Sequence, residues 1–147
     1  MGLSERERGL VELLEDGTKA AFLKAVNQMD AEGIQYYVSE TRRDLTTQLL
    51  YALNGRLNDI PFSDLQWAWQ QHGKSPPQSN QLQTWTLRSN HFDGTAVDMV
   101  PYDPAKRMPL WSGVDQKMIA IMKANGFAWG GDWGPDKIDT PHWEYKK

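Results

Sequence analysis

Two short stretches of the chain carry the residue types that hold catalytic metal ions in proteins. The first contains His91 and Asp98, and the second contains Asp139 and His142. Two imidazoles and one carboxylate form the ligand set of a mononuclear catalytic zinc ion, which keeps one position open for water. The spare carboxylate, three residues before the last ligand, is available as a base. The pattern therefore predicts a zinc-dependent hydrolase, which we interpret as a peptidase.

The spacing of the first pair of ligands requires the chain to turn. His91 and Asp98 are seven positions apart, and an odd separation would place them on opposite faces of one continuous strand. Gly94 between them permits a tight turn, so that both side chains can converge on one point. Pro141 restricts the backbone just before His142 and stiffens its approach to the same point.

Asp139 is the candidate general base, because a carboxylate near the metal can take a proton from water and pass it to the leaving amine. The alternative is an aspartate that only caps a turn before Thr140 and Pro141. Glu144, two residues after His142, is a rival base. Alternate residues of a strand share a face, so Glu144 could instead orient the imidazole from behind. We favour Asp139 as the base.

Arg42 follows a predicted strand and is the candidate substrate clamp. A planar guanidinium can bind a substrate carboxylate in a bidentate manner or stabilise an oxyanion. An equally good interpretation is that Arg42 is only a solvated charge at the junction between a strand and a helix. The same two interpretations apply to Arg43. The seven tryptophans are expected to line the core or a cleft, with sugar stacking as an alternative for one or two of them.

Composition indicates one soluble globular domain spanning residues 1–147. The length is that of an ordinary domain, and 39% apolar with 24% charged residues is typical of a globular protein. The net charge of −3 argues against a nucleic-acid binder driven by bulk charge. We find no signal peptide or spanning segment and expect synthesis in the cytoplasm, no membrane insertion and a monomer.

The absence of cysteine excludes disulfides and thiolate zinc sites, so any metal must be held by His, Asp or Glu. A lone histidine is most often an ordinary residue, which is our interpretation of His72 in its polar loop.

Hydrophobic periodicity predicts a mixture of helices and short strands, hence the α+β class. The segment 56–83 has no clear pattern apart from one short helix. Predicted helices cover residues 4–15, 18–32, a stretch after Asp44, 62–71 and 114–125, and predicted strands cover 34–39, 84–87, 96–100, 127–129 and 142–145.

The motifs resemble those of peptidase family M15, which contains D-Ala-D-Ala carboxypeptidases, L-alanyl-D-glutamate endopeptidases and phage endolysins. The family pattern Ser-x-His-x-x-Gly-x-Ala-x-Asp is met from Ser89 to Asp98, and the closing acid-x-x-His falls on Asp139 and His142. The resemblance implies zinc ligands His91, Asp98 and His142 with Asp139 as base. We assign Arg42 and Ser89 to substrate binding.

The resemblance extends over about residues 18–145, with two departures. The family's Arg, Gln and Gly-Arg positions fall on Arg42, Gln48 and Gly55-Arg56, but Glu40-Thr41 stands where Gly-Tyr is usual. The stretch 57–87 is longer and richer in tryptophan than the family's connection. The implied fold is a small α+β domain, an antiparallel sheet with flanking helices, shared with the Hedgehog signalling domain.

An Asp base followed by Pro-His and an aromatic residue is more similar to the endolysin branch. We therefore expect an enzyme that cuts the peptidoglycan stem peptide between L-Ala and D-Glu and reaches the cell wall after phage or prophage lysis. One alternative is a D-Ala-D-Ala carboxypeptidase. Another, from a different class, is a non-catalytic zinc domain that binds wall peptide or a protein partner.

Overall fold

The computed structural model describes residues 2–43, 45–55, 61–73, 75–77 and 93–146. Contacts divide the chain into two compact units, one from residues 1–42 and 93–147 and the other from residues 43–92. A single domain over residues 1–147 stays a prediction. In chain order the elements are α1 (Glu5–Glu12), α2 (Asp16–Ala31), β1 (Tyr36–Glu40), α3 (Leu45–Leu53), α4 (Phe62–Gln71), β2 (Ala96–Asp103), β3 (Met108–Pro109), α5 (Gln116–Ala124), β4 (Phe127–Trp129), a 3-10 turn (Gly130–Asp132) and β5 (His142–Tyr145).

The helices of the first unit begin where polar side chains accept their unpaired amide hydrogens. Ser4 and Glu7 form a reciprocal capping box at α1, and Glu15 accepts from the Thr18 amide at α2. Asp115 accepts from two amides of α5. The helix predicted from residue 114 therefore begins at Gln116, because Asp115 acts as its cap.

The sheet lies in the first unit, with strand order β1-β2-β5-β4 and β3 paired to the far end of β2. All its pairings are antiparallel. This confirms the predicted α+β class with an antiparallel sheet and flanking helices.

β3 was not predicted, and β2 extends beyond residue 100, where the sequence predicted its end. The strand can pass through Pro101 because the Pro101 carbonyl still accepts a hydrogen bond. The Pro101 carbonyl accepts from the Leu110 amide, while its missing N–H costs no bond to β1.

One face of this sheet packs against the helices and forms the core. Apolar residues of the strands alternate toward α1, α2 and α5. Trp143, on β5, is almost completely buried there and donates its indole N–H to the Met99 carbonyl. The core contains Val38, Val97, Met99, Phe127 and Trp143 from strands, with Val11, Phe22, Ala25, Val26, Met29, Met118, Ile119 and Met122 from helices.

The edge of the sheet at β1 is covered by two side chains of α1 rather than by another strand. The buried Glu7 carboxylate accepts from the Val38 amide at 2.7 Å, and the Arg6 guanidinium donates to the Val38 carbonyl at 2.5 Å. Both backbone groups of Val38 are therefore satisfied, which closes this part of the edge to strand addition.

The second unit has its own small core between α3 and α4. Leu50, Leu65 and Trp69 are buried there, and Tyr51 stacks on Trp69 with ring centroids 5.0 Å apart. His72 Nε2 lies 2.8 Å from Thr47 Oγ1, which ties the end of α4 to α3.

The helix predicted at 62–71 is confirmed, whereas the strand predicted at 84–87 lies outside the described residues. No helix in the described part of the chain is long and apolar enough to cross a membrane.

We expect Glu7→Ala to lower the free energy of unfolding by about 2 kcal/mol, because it removes a helix cap and leaves a buried strand amide without an acceptor. Urea denaturation measures the change. Glu5→Ala is the matched control, since Glu5 is an exposed carboxylate in the same helical turn. Equal effects of the two variants would contradict the proposed role of the edge contact.

Candidate metal centre and active site

Asp98 on β2 and His142 on β5 are directly opposite each other in the antiparallel register. Their neighbours Val97 and Trp143 point into the core, so these two side chains project from the opposite face of the sheet. Asp98 Oδ1 lies 3.4 Å from His142 Nδ1. The structure therefore brings together two of the three predicted ligands, which are far apart in sequence.

The other ring nitrogen of His142 contacts Glu144, two residues further along β5. Nε2 lies 2.9 Å from Glu144 Oε1, and a carboxylate can only accept, so Nε2 donates its hydrogen. Glu144 Oε2 in turn forms an ion pair with Lys146 Nζ at 3.0 Å. Nδ1, facing Asp98, is left to hold either a proton or a metal ion, and Glu144 has the geometry of a residue that orients the imidazole.

The carboxylates of Asp98 and Glu144 favour a positive charge at His142, which lies between them. Burial by itself lowers the pKa of His142, but hydrogen bonds and charges from Asp98 and Glu144 outweigh that effect and raise its pKa to about 9. Without a metal the imidazole holds a proton at neutral pH. A divalent cation bound at Nδ1 would supply the positive charge in place of this proton.

The distance between Asp98 and His142 fits two ligands of one tetrahedral ion. Zinc bonds to nitrogen and oxygen of about 2.0–2.2 Å separate neighbouring ligands by about 3.3–3.6 Å in that geometry, and the observed separation is 3.4 Å. The residues present therefore fit the ion at these two positions. His91 lies outside the described residues, as does Ser89, and the described part of the chain contains no group of three candidate ligands.

Asp139 is held by the backbone of the loop that leads into β5. Its amide donates to the Gly130 carbonyl at 3.0 Å, and its own carbonyl accepts from the His142 amide at 3.1 Å. A β-carbon on Gly130 would overlap the Asp139 carbonyl oxygen and crowd the β-carbon of His142. Only glycine fits at residue 130, and its closeness fixes Asp139 one turn before His142.

Trp133 is a neighbour of the site that the sequence did not single out. Its ring centroid lies 4.9 Å from that of His142, with the planes tilted by 45°. Trp129, in contrast, stacks on Trp143 and donates its indole N–H to the Thr140 carbonyl. The sequence signal that could have indicated this contact is the position of Trp133 in the glycine-rich segment shortly before Asp139.

The two arginines that the sequence left equivalent have different environments. Arg42 is exposed and follows β1, whose residue Glu40 pairs with Asp98 after a bulge. Arg43 is buried in the second unit, with its guanidinium 4.3 Å above the Tyr51 ring. Arg42 is therefore the one whose charge is presented near the end of β1. The Gln48 side chain and Arg56 lie outside the described residues.

Comparisons with known proteins found similar peptidases. A family model described as D-alanyl-D-alanine carboxypeptidase, of the M15 peptidases, matches residues 83–145. The L-alanyl-D-glutamate peptidase of Listeria phage A118 is 29% identical over 140 residues, covering 92% of this chain and 39% of that protein. These matches show that the chain is similar to M15 peptidases. It spans about two-fifths of the length of this phage relative.

Solved structures of M15-type peptidases share the fold. The L-Ala D-Glu endopeptidase ChiX of Serratia marcescens superposes with a TM-score of 0.60 at 17% identity, covering 99% of this chain and 90% of ChiX. VanYB, solved in complex with D-alanine-D-alanine, gives a TM-score of 0.53 at 14% identity, covering 90% of this chain and 71% of VanYB. At these identities the likeness supports the fold alone.

We expect Gly130→Ala to lower the free energy of unfolding by about 1–3 kcal/mol, because the added methyl group forces the Asp139 carbonyl to move. The same shift should weaken zinc binding at His142. Calorimetric unfolding and zinc titration measure the two effects. Gly134→Ala is the matched control from the same loop, since nothing lies near its added carbon. A tolerated Gly130→Ala would contradict the close approach.

We expect Glu144→Ala to weaken zinc binding by about 10–100-fold, because the imidazole loses the acceptor that orients it. Competition with a chromophoric chelator measures the affinity. Lys146→Ala is the control. Loss of its exposed ion pair with Glu144 should change the zinc affinity by less than about fivefold. If Glu144→Ala instead keeps full zinc affinity and abolishes catalysis, Glu144 is the base and not the orienting residue.

Proposed function

We propose that the chain is the catalytic domain of a zinc-dependent peptidoglycan peptidase that hydrolyses the L-Ala–D-Glu bond of the stem peptide. The observation that carries the proposal is the 3.4 Å separation of Asp98 Oδ1 and His142 Nδ1, with the backbone carbonyl of Asp139 accepting from the His142 amide. We assign the metal to these two residues and His91. The similarity to the phage A118 L-alanyl-D-glutamate peptidase supports this choice of bond.

His91, Asp98 and His142 would hold a divalent ion, which would supply Lewis-acid activation of water and of the scissile carbonyl. Asp139 takes the proton of the attacking water as its oxygen adds to the carbonyl carbon. When the C–N bond breaks, Asp139 returns this proton to the leaving nitrogen. The second proton of the water leaves the new carboxyl group and is taken up by the amine, so that the products are the carboxylate of L-Ala and the ammonium group of D-Glu, with one water consumed.

Arg42 and Ser89 are assigned to substrate binding. The stem peptide carries free carboxylates beyond the scissile bond, and an exposed guanidinium binds a carboxylate through two parallel hydrogen bonds. The position of Arg42, two residues beyond the Glu40–Asp98 pairing, is within reach of a peptide lying across the end of β1. The proposed partner is therefore the stem peptide alone, with no nucleic acid or membrane.

A D-Ala-D-Ala carboxypeptidase is the second candidate, because that activity is the description of the matching family model. A non-catalytic zinc domain is disfavoured, since the chain has Asp139 as a candidate base three residues before His142, and a pure binding site would not need a base. We place the enzyme at the cell wall after lysis, acting as a monomer.

Digestion of purified muropeptides, followed by mass spectrometry, tests the proposal. The expected product has a new D-Glu amino group, formed with zinc and lost on treatment with a chelator. Released D-alanine would instead identify the carboxypeptidase. Retained zinc without turnover of any muropeptide would identify a binding domain.

We expect Asp139→Ala to lower turnover by about 10²–10⁴-fold with zinc affinity nearly unchanged, because Asp139 moves the proton but is not assigned as a ligand. Asp136→Ala is the matched control, since Asp136 is an exposed carboxylate of the same loop. Steady-state kinetics and zinc titration give the two readouts. Unchanged turnover in Asp139→Ala would refute the proposed mechanism.

A further inference from the structure

Three aromatic side chains form a connected surface in the first unit, which we call the aromatic platform: Tyr37, Tyr102 and Trp111. Tyr37 stacks on Tyr102 with centroids 6.5 Å apart, and its ring meets that of Trp111 edge-to-face at 5.9 Å. Trp111 is 51% exposed. None of the three belongs to the buried core, so their packing serves a surface and not the interior.

The aromatic platform begins on the same face of the sheet as the candidate metal ligands. Tyr37 pairs with Val100, and both Val100 and Tyr102 are an even number of residues from Asp98 on β2. Even spacing along a strand keeps side chains on one face. The platform and the Asp98–His142 pair therefore open to the same side of the molecule.

Local contacts hold the platform in place and join it to the catalytic loop. The Arg6 guanidinium lies 4.8 Å from the centre of the Tyr37 ring while donating to the Val38 carbonyl. Thr140, between Asp139 and His142, contacts the Trp111 carbonyl through its hydroxyl at 3.5 Å. The platform is thus supported from α1 on one side and from the active-site loop on the other.

The distance between Asp98 and the aromatic platform matches the length of the linker between the scissile bond and the amino sugar. At about 3.3–3.4 Å per residue, Val100 and its partner Tyr37 lie roughly 7 Å along the strand from Asp98, and Tyr102 about 13 Å. In the stem peptide only L-Ala and a lactyl group separate the L-Ala–D-Glu bond from an amino sugar. That linker spans roughly 7–10 Å, so the sugar ring would lie over the platform.

We propose that the aromatic platform is a saccharide subsite, which binds the N-acetylated amino sugar of the glycan strand next to the stem peptide being cut. This inference rests on the proposed function. The C–H faces of a pyranose ring are apolar and stack on aromatic rings, whose faces are electron-rich. The tyrosine hydroxyls can exchange hydrogen bonds with the acetamido and hydroxyl groups of the sugar.

Two substrates test the proposal: a free stem peptide, and the same peptide on its GlcNAc–MurNAc disaccharide. We expect the wild-type chain to prefer the disaccharide-linked peptide, mainly through KM. Trp111→Ala should lower the ratio of the two kcat/KM values by about three- to tenfold, as expected for the loss of one stacking contact. Trp111→Phe, which keeps an aromatic face, should retain most of the preference.

Trp67→Ala is the matched control, because Trp67 on α4 is 62% exposed and lies in the second unit. We expect it to leave the ratio unchanged. An unchanged ratio in Trp111→Ala, or an equal loss with both substrates, would overturn the saccharide subsite. So would a change in sedimentation of Trp111→Ala without a change in the ratio, because the platform would then bind a second copy of the chain.

Binding of peptide-free N-acetylglucosamine oligomers separates this proposal from the proposed function. Indole NMR signals of the wild-type chain should shift with the oligomers, and the shifting signal should be absent in Trp111→Ala. Such binding without cleavage of either substrate would reject the peptidase assignment and keep the subsite. Cleavage of both substrates with no oligomer-dependent shift at Trp111 would reject the subsite alone.

Discussion

The structure of the site depends on one cross-strand pairing, that of Asp98 on β2 with His142 on β5. The antiparallel register sets the two side chains 3.4 Å apart, and Glu144 holds the far nitrogen of the imidazole. Two carboxylates on either side of a buried ring leave a position that must hold positive charge. A proton or a divalent ion meets that demand, and for this reason the same geometry can hold a catalytic metal.

This pairing is stable because the sheet has two different faces. Val97, Met99 and Trp143 are buried in the core on one face of the sheet. Their neighbours Asp98 and His142 must therefore project from the opposite face. A shift of register by one residue would bury Asp98 and expose Trp143. Gly130 allows the loop before β5 to approach closely at the Asp139 carbonyl. The backbone position of the proposed base thus depends on this close approach and on the hydrogen bond from its amide to the Gly130 carbonyl.

Much of this architecture was predictable from local patterns. The helices around residues 5–12, 16–31, 62–71 and 116–124 follow apolar periodicity, and the structure confirms them and the α+β class. The prediction failed at β3 and at the extension of β2 through Pro101. A proline usually ends a strand, and only the paired neighbour shows that its carbonyl alone is used there.

The sequence by itself determined which chemical groups are available: two histidines and two aspartates in two motifs, no cysteine, and an arginine pair after the first strand. Side-chain types and short spacings are local properties, so they can be interpreted without a fold. The tertiary structure alone decided that Glu144 contacts the His142 imidazole, that Arg43 is buried while Arg42 is exposed, and that Trp133 lies beside His142. Those outcomes depend on strand register and packing between residues far apart in the chain, which no local pattern encodes.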